Sequence, residues 1–514
     1  MNKVVIIFFL FLTFCKSFGQ TKVFNIINFG AIGDSATTNT ATIQQAIDEA
    51  AKAGGGKVIV PKGKFITGVI YLRSNVELQL QKDAVLLGSI NRLDYGNGNA
   101  AALISAQGQN HIGITGAGTI DGRGYEVVKN LIPQLASGAI EDKQWRVKAP
   151  EERNRPKIIT FVQCGDVKIK GITIKNGASW IQEYRRCNKL VIDRVTVLSN
   201  EYWNNDGIDI NNSKNVRITR CDINAADDAV CLKSEGDVLD SCENIYVAHC
   251  KLRSSANAFK IGTGSRGGFR NIKVSDIFIY DTYRSAIAIE TVDGAFLENI
   301  NIKKVYAKNT GNAILIRLAH RNKDSLYSSV KNIRIQKVYV QIPVGKPDKG
   351  YNMEGPLLKY PPGTKPISGI TQSVSPWNNS SKDTTAIPYL HNVFPSSITG
   401  LPNHAVQNVS IKKVQIDYAT IADKAVNYLP LDSFHIITEA ENAYPEFSMF
   451  GELPVWGFYV RHVNGLTMKK ILVKMNGKDF RNAYLFNEVK KLKLNKVSSE
   501  GSEAKPDIVI KNGE

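Results

Sequence analysis

Asp166-Val167-Lys168-Ile169, Lys189-Leu190-Val191-Ile192, Asn215-Val216-Arg217-Ile218, Asn244-Ile245-Tyr246-Val247, Asn271-Ile272-Lys273-Val274, Asn299-Ile300-Asn301-Ile302 and Asn332-Ile333-Arg334-Ile335 are seven versions of one phrase. Their second residues lie 23, 26, 29, 27, 28 and 33 positions apart. Further copies return at Asn408-Val409-Ser410-Ile411, Gly465-Leu466-Thr467-Met468 and Lys491-Leu492-Lys493-Leu494. Each alternates apolar and polar side chains, the period of a strand with one face buried. No helical stretch of 10–15 residues separates the copies, which argues against a doubly wound sheet or a barrel with outer helices. Short strands recurring at this interval predict an all-β chain wound as a single-stranded, right-handed parallel β-helix, each coil stacked about 4.8 Å from the last.

A solenoid needs capped ends. Thr40 to Lys52 supplies an N-terminal capping helix: Ile43, Ala46, Ile47 and Ala50 fall on one face, Thr40 or Thr42 starts it, and Gly54-Gly55-Gly56 stops it. Residues 343–403 break the rhythm with eight prolines between Pro343 and Pro388. This stretch is expected to be an insertion within one domain spanning residues 20–514. Long excursions of this kind are often functional.

Residues 1–19 read as a secretory signal: Lys3, an apolar run from Val4 to Phe14, and Ser17-Phe18-Gly19 before Gln20. The run is too short to span a bilayer, no later segment looks transmembrane, and an exported protein, periplasmic or secreted, is expected. Removing Lys3 and Lys16 lowers the formal charge from +18 to +16, since residues 1–19 hold no Asp or Glu. A basic exported chain without a nucleic-acid motif suggests an acidic glycan partner, unless the basicity serves only solubility or adhesion. Six cysteines remain: Cys164, Cys187, Cys221, Cys231, Cys242 and Cys250. None has a metal-ligand spacing paired with histidines, and each is expected as a buried thiol in the stack or as half of a disulfide. No cofactor or metal is expected, and the protein is expected to be a monomer.

The chemistry concentrates in Asn204-Asn205-Asp206-Gly207-Ile208-Asp209 and Ala226-Asp227-Asp228-Ala229. Asp206 and Asp227 are 21 residues apart, one coil. Stacked carboxylates cannot all ionise easily, so one should hold a proton near neutrality, as hydrolysis of a glycosidic bond requires. The other reading of an Asp-Asp pair is an exposed turn or a calcium site.

With Phe29-Gly30-Ala31-Ile32-Gly33-Asp34, Gly54-Gly55-Gly56-Lys57-Val58-Ile59-Val60-Pro61, Gly116-Ala117-Gly118-Thr119-Ile120-Asp121-Gly122 and Arg155-Pro156, these motifs resemble glycoside hydrolase family 28, the polygalacturonase family, over nearly all of the mature chain. The resemblance implies that Asp227 is the general acid, and that Asp206 and Asp228 hold the attacking water as general base, inverting the anomeric centre. Two family motifs are replaced. The usual Gly-His-Gly falls at Ala256-Asn257-Ala258, and the carboxylate-gripping Arg-Ile-Lys falls at Ala288-Ile289-Glu290. Glu290 at that spot would repel a uronate, so unsubstituted polygalacturonate is expected to be a poor substrate. Lys233, Lys260, Arg284 and Arg317 are candidate compensating cations and, with Asn257 and Glu290, candidate substrate-binding residues. His249 and His320 are the histidines that would stand in for the missing one, if not simply structural.

The reading is therefore an inverting glycosidase acting on pectin or a related acidic polysaccharide or oligosaccharide. The insertion either blocks one end of the groove, favouring exo action, or only covers a flank. A β-helix polysaccharide lyase and a non-catalytic glycan-binding β-helix are the competing readings.

Overall fold

In a computed structural model, the structure describes residues 21–146, 150–236, 239–355, 391–419, 422–424 and 429–513. The proposed signal, and most of the insertion with Tyr360, Trp377 and Tyr389, lie outside the described residues. All the described strands join one continuous parallel winding, a right-handed parallel β-helix. Its ladder is the repeat read from the sequence. Ile169 pairs with Ile192, then Ile218, Val247, Val274, Ile302, Ile335, Ile411, Met468 and Leu494 follow in register.

Each coil lays down three strands. One sheet contains Gln182–Arg185, Ile208–Asn211, Val230–Ser234 and Phe259–Ser265, and continues through residues 285–291 and 314–318. A second holds the repeated phrase, and a third holds Asp222–Ala225 and Lys251–Ser254. Inward Ile, Val and Leu fill one core along the axis. Every residue before the second strand must turn with positive φ, and asparagine fills that corner from Asn215 to Asn408. Asparagine tolerates this conformation better than most residues. The six cysteines from Cys164 to Cys250 are all buried and free, which settles the choice between buried thiols and disulfides.

Helix α1, Thr40–Lys52, buries Ile43, Ala46, Ile47 and Ala50 as expected, and its N-cap is Asn39. A second helix, α2, Gly124–Ser137, was not foreseen; it packs Leu131 and Leu135 with Ile140 as a satellite cluster. Strand Ser396–Thr399 falls inside the expected insertion and pairs with Leu315–Arg317, so the solenoid resumes there. A second excursion separates Val406–Tyr418 from Val455–Asp479. No helix among the described residues is long and apolar enough to cross a membrane.

Candidate active site

The turns leading into the first sheet bring Asp206, Asp227, Asp228, Asn257 and Arg284 to one edge of neighbouring coils. Arg155 fixes the first turn, donating to Ala178 O at 2.9 Å, Trp203 O at 2.7 Å and Asn204 Oδ1 at 2.6 Å. Asn205 ties the same turn to Gly177 O and Ser179 O. Gly207 is required because a Cβ there would lie 2.5 Å from Ala229 O. The coils are laced directly: Gly207 N donates to Asp228 O at 2.9 Å and Asp227 N to Asn205 O at 3.3 Å. The three carboxylates are therefore held by backbone, Asp206 one coil before the adjacent Asp227 and Asp228.

Two lysines answer two of them. Lys233 Nζ lies 2.9 Å from Asp206 Oδ2 and 2.5 Å from Asp209 Oδ1. Burial works against this ammonium, but Asp206 and Asp209 outweigh it and keep it charged. Burial and Asp206 push the Asp209 carboxyl up, against Lys233. Lys260 Nζ lies 3.1 Å from Asp228 Oδ2 and 3.7 Å from Glu290 Oε2. Asn257 donates its backbone N–H and its amide to Asp228 Oδ1, at 3.0 and 2.9 Å. Burial alone would raise Asp228, yet Lys260, Lys233 and Asn257 hold it below the usual carboxylate range.

Among the described residues, no lysine or arginine pairs with Asp227 in this way. Its Oδ1 accepts the Asp228 backbone N–H, at 2.9 Å. Burial, then the charges of Asp206 and Asp228, push it up to about 8. Neighbouring carboxyls are thus driven apart, one protonated and one ionised at neutrality, the division of labour an acid–base pair needs.

The other candidates are placed as follows. Glu290 is fully buried, accepts from Thr263 Oγ1 at 2.9 Å, and is raised to about 7 by burial despite Lys260. Ala288 is the register partner of Lys260, so a cation stands on the adjacent rung. Arg284 pairs with Glu446 at 3.6 Å. Arg317 is fully buried and donates to Gly400 O, Glu439 O and Ala440 O, bracing the second excursion. His249 is an exposed corner residue, and His320 stacks on Tyr327.

Several contributors were missed. The Trp180 ring is flanked by Lys233 Nζ at 3.6 Å and Lys157 Nζ at 3.9 Å, and Lys157 pairs with Glu183 at 2.7 Å. Tyr444 OH accepts from Lys260 at 3.0 Å. Asp209, the closing residue of the Asn-x-Asp-Gly-x-Asp motif, was a signal in plain view. Tyr444 and Glu446 gave none, because they reach the site from far along the chain.

Asp206, Asp228 and Cys231 are the described residues whose donor atoms cluster within 4.8 Å. Two ammonium groups already answer those carboxylates, and burial pushes the Cys231 thiol up. The set fits a cation poorly.

The molecule is thus a parallel β-helix that carries stacked aspartates along one edge of its first sheet. The description "Glycosyl hydrolases family 28" matches residues 52–346, and the chain belongs to that family. A probable polygalacturonase of Vitis vinifera is 29% identical over 312 residues, covering 55% of this chain and 60% of its own. An exo-poly-alpha-D-galacturonosidase of Dickeya chrysanthemi is 28% identical over 251 residues, covering 41% of each. The chain thus spans 60% and 41% of those relatives' lengths. A hyperthermoactive exopolygalacturonase from Thermotoga maritima shares the fold, with a TM-score of 0.60 at 22% identity, covering 88% of this chain and 91% of that one.

Proposed function

We propose that the protein is an inverting glycoside hydrolase that removes terminal residues from pectin or a related acidic glycan. The observation that carries this reading is the split between Asp227, at about 8, and Asp228, held low by Lys260. Asp227 gives its proton to the leaving glycosidic oxygen. Asp228 and Asp206 orient a water and take its proton as it attacks the opposite face of the sugar. Family membership and the polygalacturonase names of the relatives support a pectic substrate.

Exo action is supported by the two excursions. The start of the first reaches the coil of Asn257: two residues before it, Ser255 Oγ donates to Met353 O at 2.6 Å. The second sets Tyr444 over Lys260 and Glu446 beside Arg284. A groove walled this way suits a chain end. Ala288 and Glu290 in place of cations favour substituted or branched pectic fragments over plain polygalacturonate.

A panel of acidic glycans tests the reading, with product masses, product anomer by NMR, and viscosity followed together. Monosaccharide or short terminal products of inverted configuration are expected. A sharp viscosity fall with few new reducing ends would refute exo action. A product absorbing in the near ultraviolet would indicate an eliminating lyase instead, and no turnover on any member would indicate a binding protein.

A further inference from the structure

We propose that the corner formed by Lys304, Lys337, Lys413, Lys470 and Lys496 is a binding surface for a linear polyanionic glycan, separate from the catalytic groove. Each lysine directly precedes a paired position: Val305 pairs with Val338, Val338 with Val414, Val414 with Ile471, and Ile471 with Val497. The five ammonium groups therefore form one row along the solenoid axis, repeating at about 4.8 Å. All five are exposed. The position before each widens the row, with Lys303, Lys412 and Lys469 in register with one another through Gln336.

The backbone makes this composition informative. The five lysines have φ of 54–56°, the left-handed region. In the same winding, the other corner meets that requirement with Asn271, Asn299, Asn332 and Asn408, at φ of 55–61°. Asparagine is the more comfortable residue there. Lysine in five successive coils is thus chosen against local preference, and what it adds is charge.

The row borders a surface groove of about 800 Å³ that no acidic residue lines. Tyr306 and Tyr339 stack within it at 5.3 Å. Among the described residues, only Lys304 of the five has a carboxylate partner, Asp276 at 3.0 Å. This corner joins the second and third sheets, the one corner the catalytic sheet does not share. A linear polyuronate carries one carboxylate per sugar, so a narrow axial row of cations, flanked in its first two coils by Tyr306 and Tyr339, suits it better than a membrane plane or a duplex. The proposed function enters only in the choice of polymer.

The test uses the full chain carrying Asp227→Asn, so that the polymer is not cut while binding is read. Binding of long polygalacturonate is compared with and without Lys337→Asn, Lys413→Asn and Lys470→Asn together. Asparagine suits the turn, so the fold is retained, and an unchanged Tm verifies it. At least tenfold weaker binding and a shallower salt dependence are expected, with neutral galactan unbound by either protein. Equal affinity overturns the proposal, as does a loss confined to phosphatidylglycerol vesicles or duplex DNA. Because the readout is binding, absence of hydrolysis would refute the proposed function and leave this result standing.

Discussion

Asp227 and Asp228 are chain neighbours with opposite electrostatic fates, and the difference lies in what faces them. Asp227→Asn keeps the shape but cannot donate a proton, so turnover should fall about 10²–10⁴-fold with the fold intact. Assay of the purified variant on the preferred glycan checks this. The pH profile should be bell-shaped, its alkaline limb near 8 where Asp227 loses its proton. Lys260→Met removes the cation that holds Asp228 low and also lowers Asp227, so the acid limb should move toward neutrality and the alkaline limb should move up with it. Asp227 also ties stability to pH. Its folded pKa lies above the ordinary 3.8, so its contribution is complete below about pH 4 and lost as pH rises to about 8. The Tm of Asp227→Asn relative to the parent should therefore climb across that window and then level off.

At the scale of elements, the strands were legible and the second excursion was not. Inward side chains every second residue must repeat in every coil, so the register from Ile169 to Leu494 stands in the sequence as a spacing. The carboxylate turns were legible for the same reason, since Asp206 and Asp227 are one coil apart. The excursion after Tyr418 follows no period, and its partners lie far away: Tyr444 meets Lys260 across 184 positions. Arg317 is the lesson in miniature. Its place one rung beyond Glu290 suggested a ligand for substrate, but burial turns its donors onto the carbonyls of that excursion. Helix α2 was missed because Gly124 opens it and Pro133 lies inside it, both poor helix formers. Arg317→Met should destabilise by about 2–3 kcal/mol, since it leaves buried carbonyls unanswered. Loosening the excursion should also raise KM more than it lowers kcat, measurable on a short oligosaccharide.

For the whole molecule, a solenoid transmits stability only between adjacent coils, so it opens by fraying or by losing a block at once. The six thiols from Cys164 to Cys250 are spread through the coils that carry the aspartates, and none is accessible. They are built-in reporters of how those coils come apart. Under mild denaturant, pulsed alkylation followed by peptide mass mapping of these six thiols should find none or all of them modified in each molecule if the block of coils opens as a unit. Modification of only part of the set from Cys164 to Cys250 would mean that it peels coil by coil. The same thiols make the native protein indifferent to reductant, while a transiently opened molecule in an oxidising compartment becomes open to disulfide mispairing that would trap it unfolded.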